Sequence, residues 1–121
     1  MPADRDPTPC AACRLPRWLC VCALAPRVVA RTPVVIVVHV QDRGRATNTA
    51  RLVALAVRGA AVLGHGDRAG PADPAAHLPA GFAPVVLFPG RGARPLTPES
   101  VASLPAPPAL VVPDGNWRQA S

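Results

Sequence analysis

Four cysteines near the start of the chain fall as Cys10-x-x-Cys13 and Cys20-x-Cys22, with six residues between the pairs. Two close thiol pairs on a short spacer suit tetrahedral binding of zinc, although the second pair is tighter than C-x-x-C and the spacer is shorter than in a common zinc ribbon. Four thiolates leave no open coordination position, so a metal held there would organise the chain and not run a reaction. A redox-active C-x-x-C would want a thioredoxin-like βαβ context, which this stretch lacks, and buried unpaired cysteines rarely cluster this way. Leu15, Trp18 and Leu19 lie between the pairs and could form a small apolar plug over the knuckle.

A second group of reactive side chains follows the apolar runs farther along. His39, Asp42, Arg43 and Arg45 come after Val34-Val35-Ile36-Val37-Val38, with Gly44 among them and Thr47-Asn48-Thr49 beyond. The crossing sets an imidazole, a carboxylate and two guanidinium groups beside backbone N–H groups left unpaired at a helix start, which suits an anion. A solvated βα loop is the plain alternative. Pro89-Gly90-Arg91-Gly92-Ala93-Arg94 comes after Val85-Val86-Leu87-Phe88. Its glycines permit close backbone approach and its arginines could pair with a phosphate or carboxylate. No Lys-Ser/Thr follows, so it is not a Walker loop. Asp114-Gly115-Asn116-Trp117 comes directly after the run Ala109 to Val112, while His65, between Gly64 and Gly66, reads first as a turn residue.

The elements that must position these groups can be read from the same stretches. Val34 to Val38 is β-branched throughout without polar alternation, so it suits a strand buried on both faces, and it is too short to cross a membrane. Leu52, Val53, Leu55 and Ala56 have helical spacing, and any of Thr47, Asn48 and Thr49 could cap that helix. Gly59 is a plausible stop, Ala60 to Leu63 a short second strand, and Asp67 to Pro84 a loop with room for one helical turn. Val85 to Phe88 and Ala109 to Val112 read as the third and fourth strands. Between them Thr97-Pro98-Glu99 starts a short helix through Val101 to Leu104. Strands with helices between them argue for a mainly parallel α/β sheet. In such sheets ligands sit beyond the carboxyl ends of the strands, so His39, Gly64 to Gly66, Gly90 to Arg94 and Asp114 to Trp117 are expected to converge on one edge.

Composition bounds the rest. The chain has 121 residues, enough for one domain or for a small module joined to a modest core. Residues 1–31 are read as the zinc-binding module and its linker, with Ala23 to Thr32 as the connecting stretch, and residues 32–121 as the α/β domain. The 17 prolines and 9 glycines make up roughly a fifth of the chain, just short of the disordered range, so long irregular connections are expected. All 13 basic residues are arginine and the net charge is +6, which favours polyanions such as RNA. With no tyrosine and two residues each of Phe and Trp, a broad aromatic platform for base stacking is not expected. MPADRDPTPC has no apolar h-region after its first charges, so a cytoplasmic chain with reduced cysteines is expected.

The combination of C-x-x-C with C-x-C near the start, HVQDRGRATNT after the first strand, LFPGRGA after the third and DGNWRQAS after the fourth resembles the DTW-domain proteins, the tRNA-uridine aminocarboxypropyltransferases. The resemblance runs in order along nearly the whole chain. It implies a fold related to the SPOUT methyltransferases, preceded by a zinc-binding module. It also implies transfer of the 3-amino-3-carboxypropyl group of S-adenosylmethionine to the ring imide nitrogen of a uridine in tRNA; no membrane partner is expected. Asp114 matches the aspartate of the family's D-x-T-W signature and is the implied general base. Trp117 matches the signature tryptophan, and Asn116 stands where the signature has threonine. His39, Asp42, Asn48 and Thr49, with Pro89, Gly90 and Gly115, are implied donor- or uridine-pocket residues. Arg43, Arg45, Arg91 and Arg94 are candidates for RNA phosphate contact, and Cys10, Cys13, Cys20 and Cys22 for zinc. Because the family continues with further strands, cofactor contacts and the knot, the resemblance implies an α/β domain incomplete at its C-terminus. The alternative that follows is a truncated, catalytically inactive, zinc-bearing RNA-binding module.

Overall fold

A computed structural model of the chain describes residues 5–45, 47–68 and 70–115. Its centre is the β-branched run. Val34–His39 forms strand β2, with Val35, Ile36 and Val38 buried. Burial from both faces explains why the run carries no polar alternation. Two parallel neighbours flank β2: strand β4 (Ala61–His65) on one side and strand β6 (Pro108–Asp114) on the other, with strand β5 (Ala83–Val86) beyond β6. The spatial order is therefore β4-β2-β6-β5, all parallel, as the alternating pattern predicts. Pro113 is tolerated in β6 because the strand's pairing with β5 runs from Ala83↔Pro108 to Val86↔Val111, and Leu87 N–H closes it on the Val111 carbonyl at 2.9 Å. The missing N–H of Pro113 points the same way as Val111's groups, past the end of that ladder.

One face of the sheet is covered by helix α2 (Ala50–Ala56). Ile36, Val38 and Ala50 form a small core there, joined by Val34, Val53, Val62 and Val112. Apolar positions of β2, β4 and β6 that share a row thus meet the helix's inner stripe. The other face buries Val35, Ala109 and Val111. Among the described residues, the long connection after β4 contains one 3₁₀ turn, Pro74–His77, started by Asp73, whose carboxylate accepts from Ala75 N–H at 3.1 Å. Helix α3 (Pro98–Ala102) begins at a capping box: Thr97 Oγ1 accepts from Ser100 N–H at 3.1 Å and Ser100 Oγ from Thr97 N–H at 2.8 Å. It ends two residues before the expected Leu104.

Three differences from the sequence reading concern local structure. The polar crossing after β2 is not all loop, because Val40–Arg43 makes one helical turn, α1, with the His39 ring as its cap, Nδ1 accepting from Gln41 N–H at 3.3 Å. The stretch read as linker contains strand β1 (Val28–Val29), paired in parallel with β3 (Val57–Arg58), which leaves α2 directly. Two-residue strands carry no readable period. The proposed plug is mostly open: Trp18 and Leu19 are 44% and 46% exposed, and the Arg5 guanidinium lies over the Trp18 ring, 4.4 Å from its centroid. Of the eight residues between Cys13 and Cys22, two are arginine and one is itself a candidate ligand, which leaves too few apolar side chains to enclose an indole. Among the described residues, no helix is long and apolar enough to cross a membrane.

Candidate metal centre and sheet-edge cleft

The cysteine segment folds into a tight turn. A bridge joins Pro9 to Pro16, Cys10 N–H donates to Leu15 O at 2.8 Å, and Arg14 N–H donates to Cys10 O at 2.9 Å. The result brings all four Sγ atoms within 4.8 Å of one another. Cys10 lies 3.7 Å from both Cys20 and Cys22, and Cys13 lies 3.8 Å from Cys20. Four sulfurs around a zinc ion at its usual bond length would be about 3.8 Å apart along each tetrahedral edge, so the donor set fits that ion in number, chemistry and spacing. Backbone N–H groups of Cys13 and Ala12 aim at the Cys10 sulfur and lower its pKa to about 6. The Val21 N–H likewise holds the Cys13 thiol below its ordinary range. Cys22, sharing its hydrogen with the Cys20 sulfur and partly desolvated, is pushed up to about 12. Such N–H···S contacts stabilise the thiolates a metal needs.

Arg51 ties this knuckle to the sheet. From α2 its Nε donates to the Cys13 carbonyl and its Nη1 to the Arg45 carbonyl at 2.9 Å. One guanidinium therefore joins the cysteine turn to the loop between α1 and α2. Nothing in the sequence separates Arg51 from an ordinary solvated helix arginine, and it escaped the candidate set.

The second site is a polar cleft of about 200 Å³ at the carboxyl end of the central strands. It is lined by Asp42, Arg45, Thr47, Asn48, Thr49, Asp114 and Gly115. Asn48 is fixed at both ends of its amide: Oδ1 accepts from Ala50 N–H at 3.0 Å, and Nδ2 donates to Asp114 Oδ2 at 3.0 Å. The first bond satisfies one of the orphan donors at the start of α2 and thereby sets which way the amide faces. At the rim Arg45 pairs with Asp42 at 3.3 Å.

The structure thus brings together Asp42, Arg45, Asn48, Thr49, Asp114 and Gly115. It does not bring His39 to them. Val38 is in register with Asp114 and His39 with His65, so His39 leaves the same end of the sheet as Asp114 but from the opposite face. Its ring lies against Gly66, where a Cβ would meet Nε2 at 2.7 Å. Arg43 lies over Gly64 in the same manner, its Nη1 3.0 Å from a Cβ placed there. Glycines on both sides of His65 let two neighbouring side chains lie flat, a use beyond the turn expected of them. Pro89, Gly90, Arg91 and Arg94 follow β5 on the sheet's outer edge and do not line the cleft. Asn116 and Trp117 lie outside the described residues.

A parallel α/β sheet with four clustered cysteines, able to hold a metal ion, docked beside α2 defines the class as a mixed α/β domain with a candidate metal centre. Comparison with protein families matches residues 8–121 to the DTW domain, and the chain belongs to that family. Membership is compatible with a role in tRNA modification. No curated protein and no solved structure matches the chain.

Proposed function

We propose that the chain transfers the 3-amino-3-carboxypropyl group from S-adenosylmethionine to a uridine in tRNA. The observation that carries this reading is the Asn48–Asp114 pair, which places an oriented carboxylate at the carboxyl end of the two central strands, where parallel sheets take ligands. Family membership supports it.

In the proposed reaction the ring nitrogen of uridine attacks the methylene carbon beside the sulfonium. The N–C bond forms as the C–S bond breaks, the electron pair stays on sulfur, and methylthioadenosine leaves uncharged. The imide proton passes to Asp114. Asn48 holds Oδ2 of that carboxylate, so Oδ1 is the oxygen offered to the proton. Thr47, Thr49 and Gly115 frame the nucleotide edge, and the Asp42–Arg45 pair closes the rim. The four thiolates would hold zinc as a structural ion, fixing the knuckle against α2 through Arg51. Arg43, Arg45, Arg91 and Arg94 are proposed to meet tRNA phosphates.

A second reading, RNA binding without transfer, is favoured by the cleft's size. About 200 Å³ falls below the roughly 300–1,000 Å³ common for small-molecule sites. Transfer of labelled aminocarboxypropyl from S-adenosylmethionine to unmodified tRNA separates the two. Transfer that disappears in Asp114→Ala while tRNA binding persists supports the enzyme. Binding without transfer by the unaltered chain supports the second reading.

A further inference from the structure

We propose that the larger cleft, between the cysteine knuckle and the α1–α2 face, receives a nucleotide phosphate of the RNA, held by Arg14 and Arg43. The inference deepens the RNA reading above and rests on it. This cleft has a volume of about 710 Å³. Among the described residues, its charged lining side chains are Arg14, Arg43 and Arg51, with no carboxylate, beside the apolar Val38, Val40 and Val62. Among the described residues, the ion pairs are Arg17–Asp6 and Arg45–Asp42, so neither Arg14 nor Arg43 has an acidic partner. A cationic and apolar lining is complementary to a nucleotide, anionic at its phosphate and flat and apolar across its base.

Arg14 supplies an independent argument. Its backbone has φ 61°, the one non-glycine residue in the left-handed region among the described residues. The knuckle needs that conformation to turn Leu15 back so that its carbonyl accepts from Cys10 N–H at 2.8 Å, and glycine would adopt it without steric cost. An arginine there is unfavourable for the turn, yet it places a guanidinium at the mouth of the cleft. Local cost at one position together with charge at the opening points to use of the side chain. The position also suits the proposed reaction, because Asn48 lines both clefts. A nucleotide anchored at Arg14 and Arg43 would have its neighbour within reach of Asp114.

The test measures binding of unmodified tRNA to the zinc-loaded 121-residue chain at several salt concentrations, with Arg14→Gly, Arg43→Gln and Arg58→Gln beside the unaltered protein. Arg14→Gly suits the left-handed turn, so its melting temperature is expected to hold or rise. Its affinity is expected to fall about tenfold and its salt slope by about one. Arg43→Gln should do the same. Arg58, exposed on β3 away from the cleft, reports the loss of one charge alone, and its variant should bind almost as the unaltered chain does. Equal affinity and slope in Arg14→Gly and the unaltered protein would overturn the cleft assignment and leave the RNA reading standing. So would equal losses in the Arg14 and Arg58 variants. No tRNA binding by the unaltered chain overturns both.

Discussion

Asn48 and Asp114 are 66 positions apart in sequence and share a 3.0 Å hydrogen bond that closes the end of the sheet between its two central strands. The bond orients the carboxylate and commits the amide, whose oxygen is already taken by Ala50 N–H. Replacing Asn48 with Asp sets a second carboxylate against Asp114. Like charges at that distance repel, and the carboxylate loses the donor that orients it, so Asn48→Asp is expected to destabilise the chain more than Asn48→Ala does and to lose most transfer. Asn48→Ala is expected to lower stability by about 1 kcal/mol in urea titration. Equal stability of Asn48→Asp and the unaltered chain would contradict the pairing.

Arg51 holds the knuckle to the sheet through two carbonyls, Cys13 and Arg45. Hydrogen bonds from a charged donor are worth about 1.5–3 kcal/mol each when buried, less here because Arg51 is only half-buried. Arg51→Gln is therefore expected to cost about 1–2 kcal/mol in urea unfolding, with zinc affinity preserved because the ligand set is untouched. Arg51→Lys should not rescue it, since a single ammonium cannot reach two divergent carbonyls as a fork does. Equal stability of Arg51→Lys and the unaltered chain would contradict the bridging role.

The central strand, the parallel sheet and the cysteine cluster were legible because each is written in residue type: a β-branched run, alternating elements and paired thiols. What was not legible is which face each side chain takes. His39 and Asp114 both come after apolar runs and look equivalent in sequence, yet each is the last residue of its strand, and a register that pairs Val38 with Asp114 sends them to opposite faces. Register is set by partners distant in the chain, so no local pattern carries it. Docking of the knuckle escaped for a similar reason. It depends on Arg51, a type whose ordinary place is a solvated helix surface, and on β1 and β3, each too short to show alternation.

The thiol chemistry gives a prediction free of any assay for transfer. In the metal-free chain, Cys10 at about 6 is mostly thiolate at pH 7, whereas Cys22 at about 12 is held as thiol. Because the thiolate is the nucleophile, iodoacetamide is expected to label Cys10 well before Cys22 at pH 7. As pH falls through about 6, Cys10 labelling should decline, and Cys22 should catch up only in strong alkali. Zinc should protect all four sites and release protons on binding, since Cys22 must give up its hydrogen. Peptide mapping by mass spectrometry, with and without a chelator, reads the order. Cys22 reacting before Cys10 would contradict the hydrogen-bond pattern of the knuckle.

Gly66 combines two constraints that can be measured apart. Its φ of 91° disfavours any side chain, and a Cβ would stand 2.7 Å from His39 Nε2. Gly66→Ala is expected to destabilise the chain by about 1–3 kcal/mol. His39→Ala removes the ring and leaves the backbone angle as it is, so in the double variant the collision disappears while the strain persists. The Gly66→Ala cost should therefore be smaller in the His39→Ala background by the part that belongs to the collision. Undiminished cost there would assign the whole requirement for glycine to the backbone, and the His39 ring would then be shown to yield readily. A large reduction would mean that the ring is held firmly enough to cap α1, fixing the first turn after the central strand on the face away from Asp114.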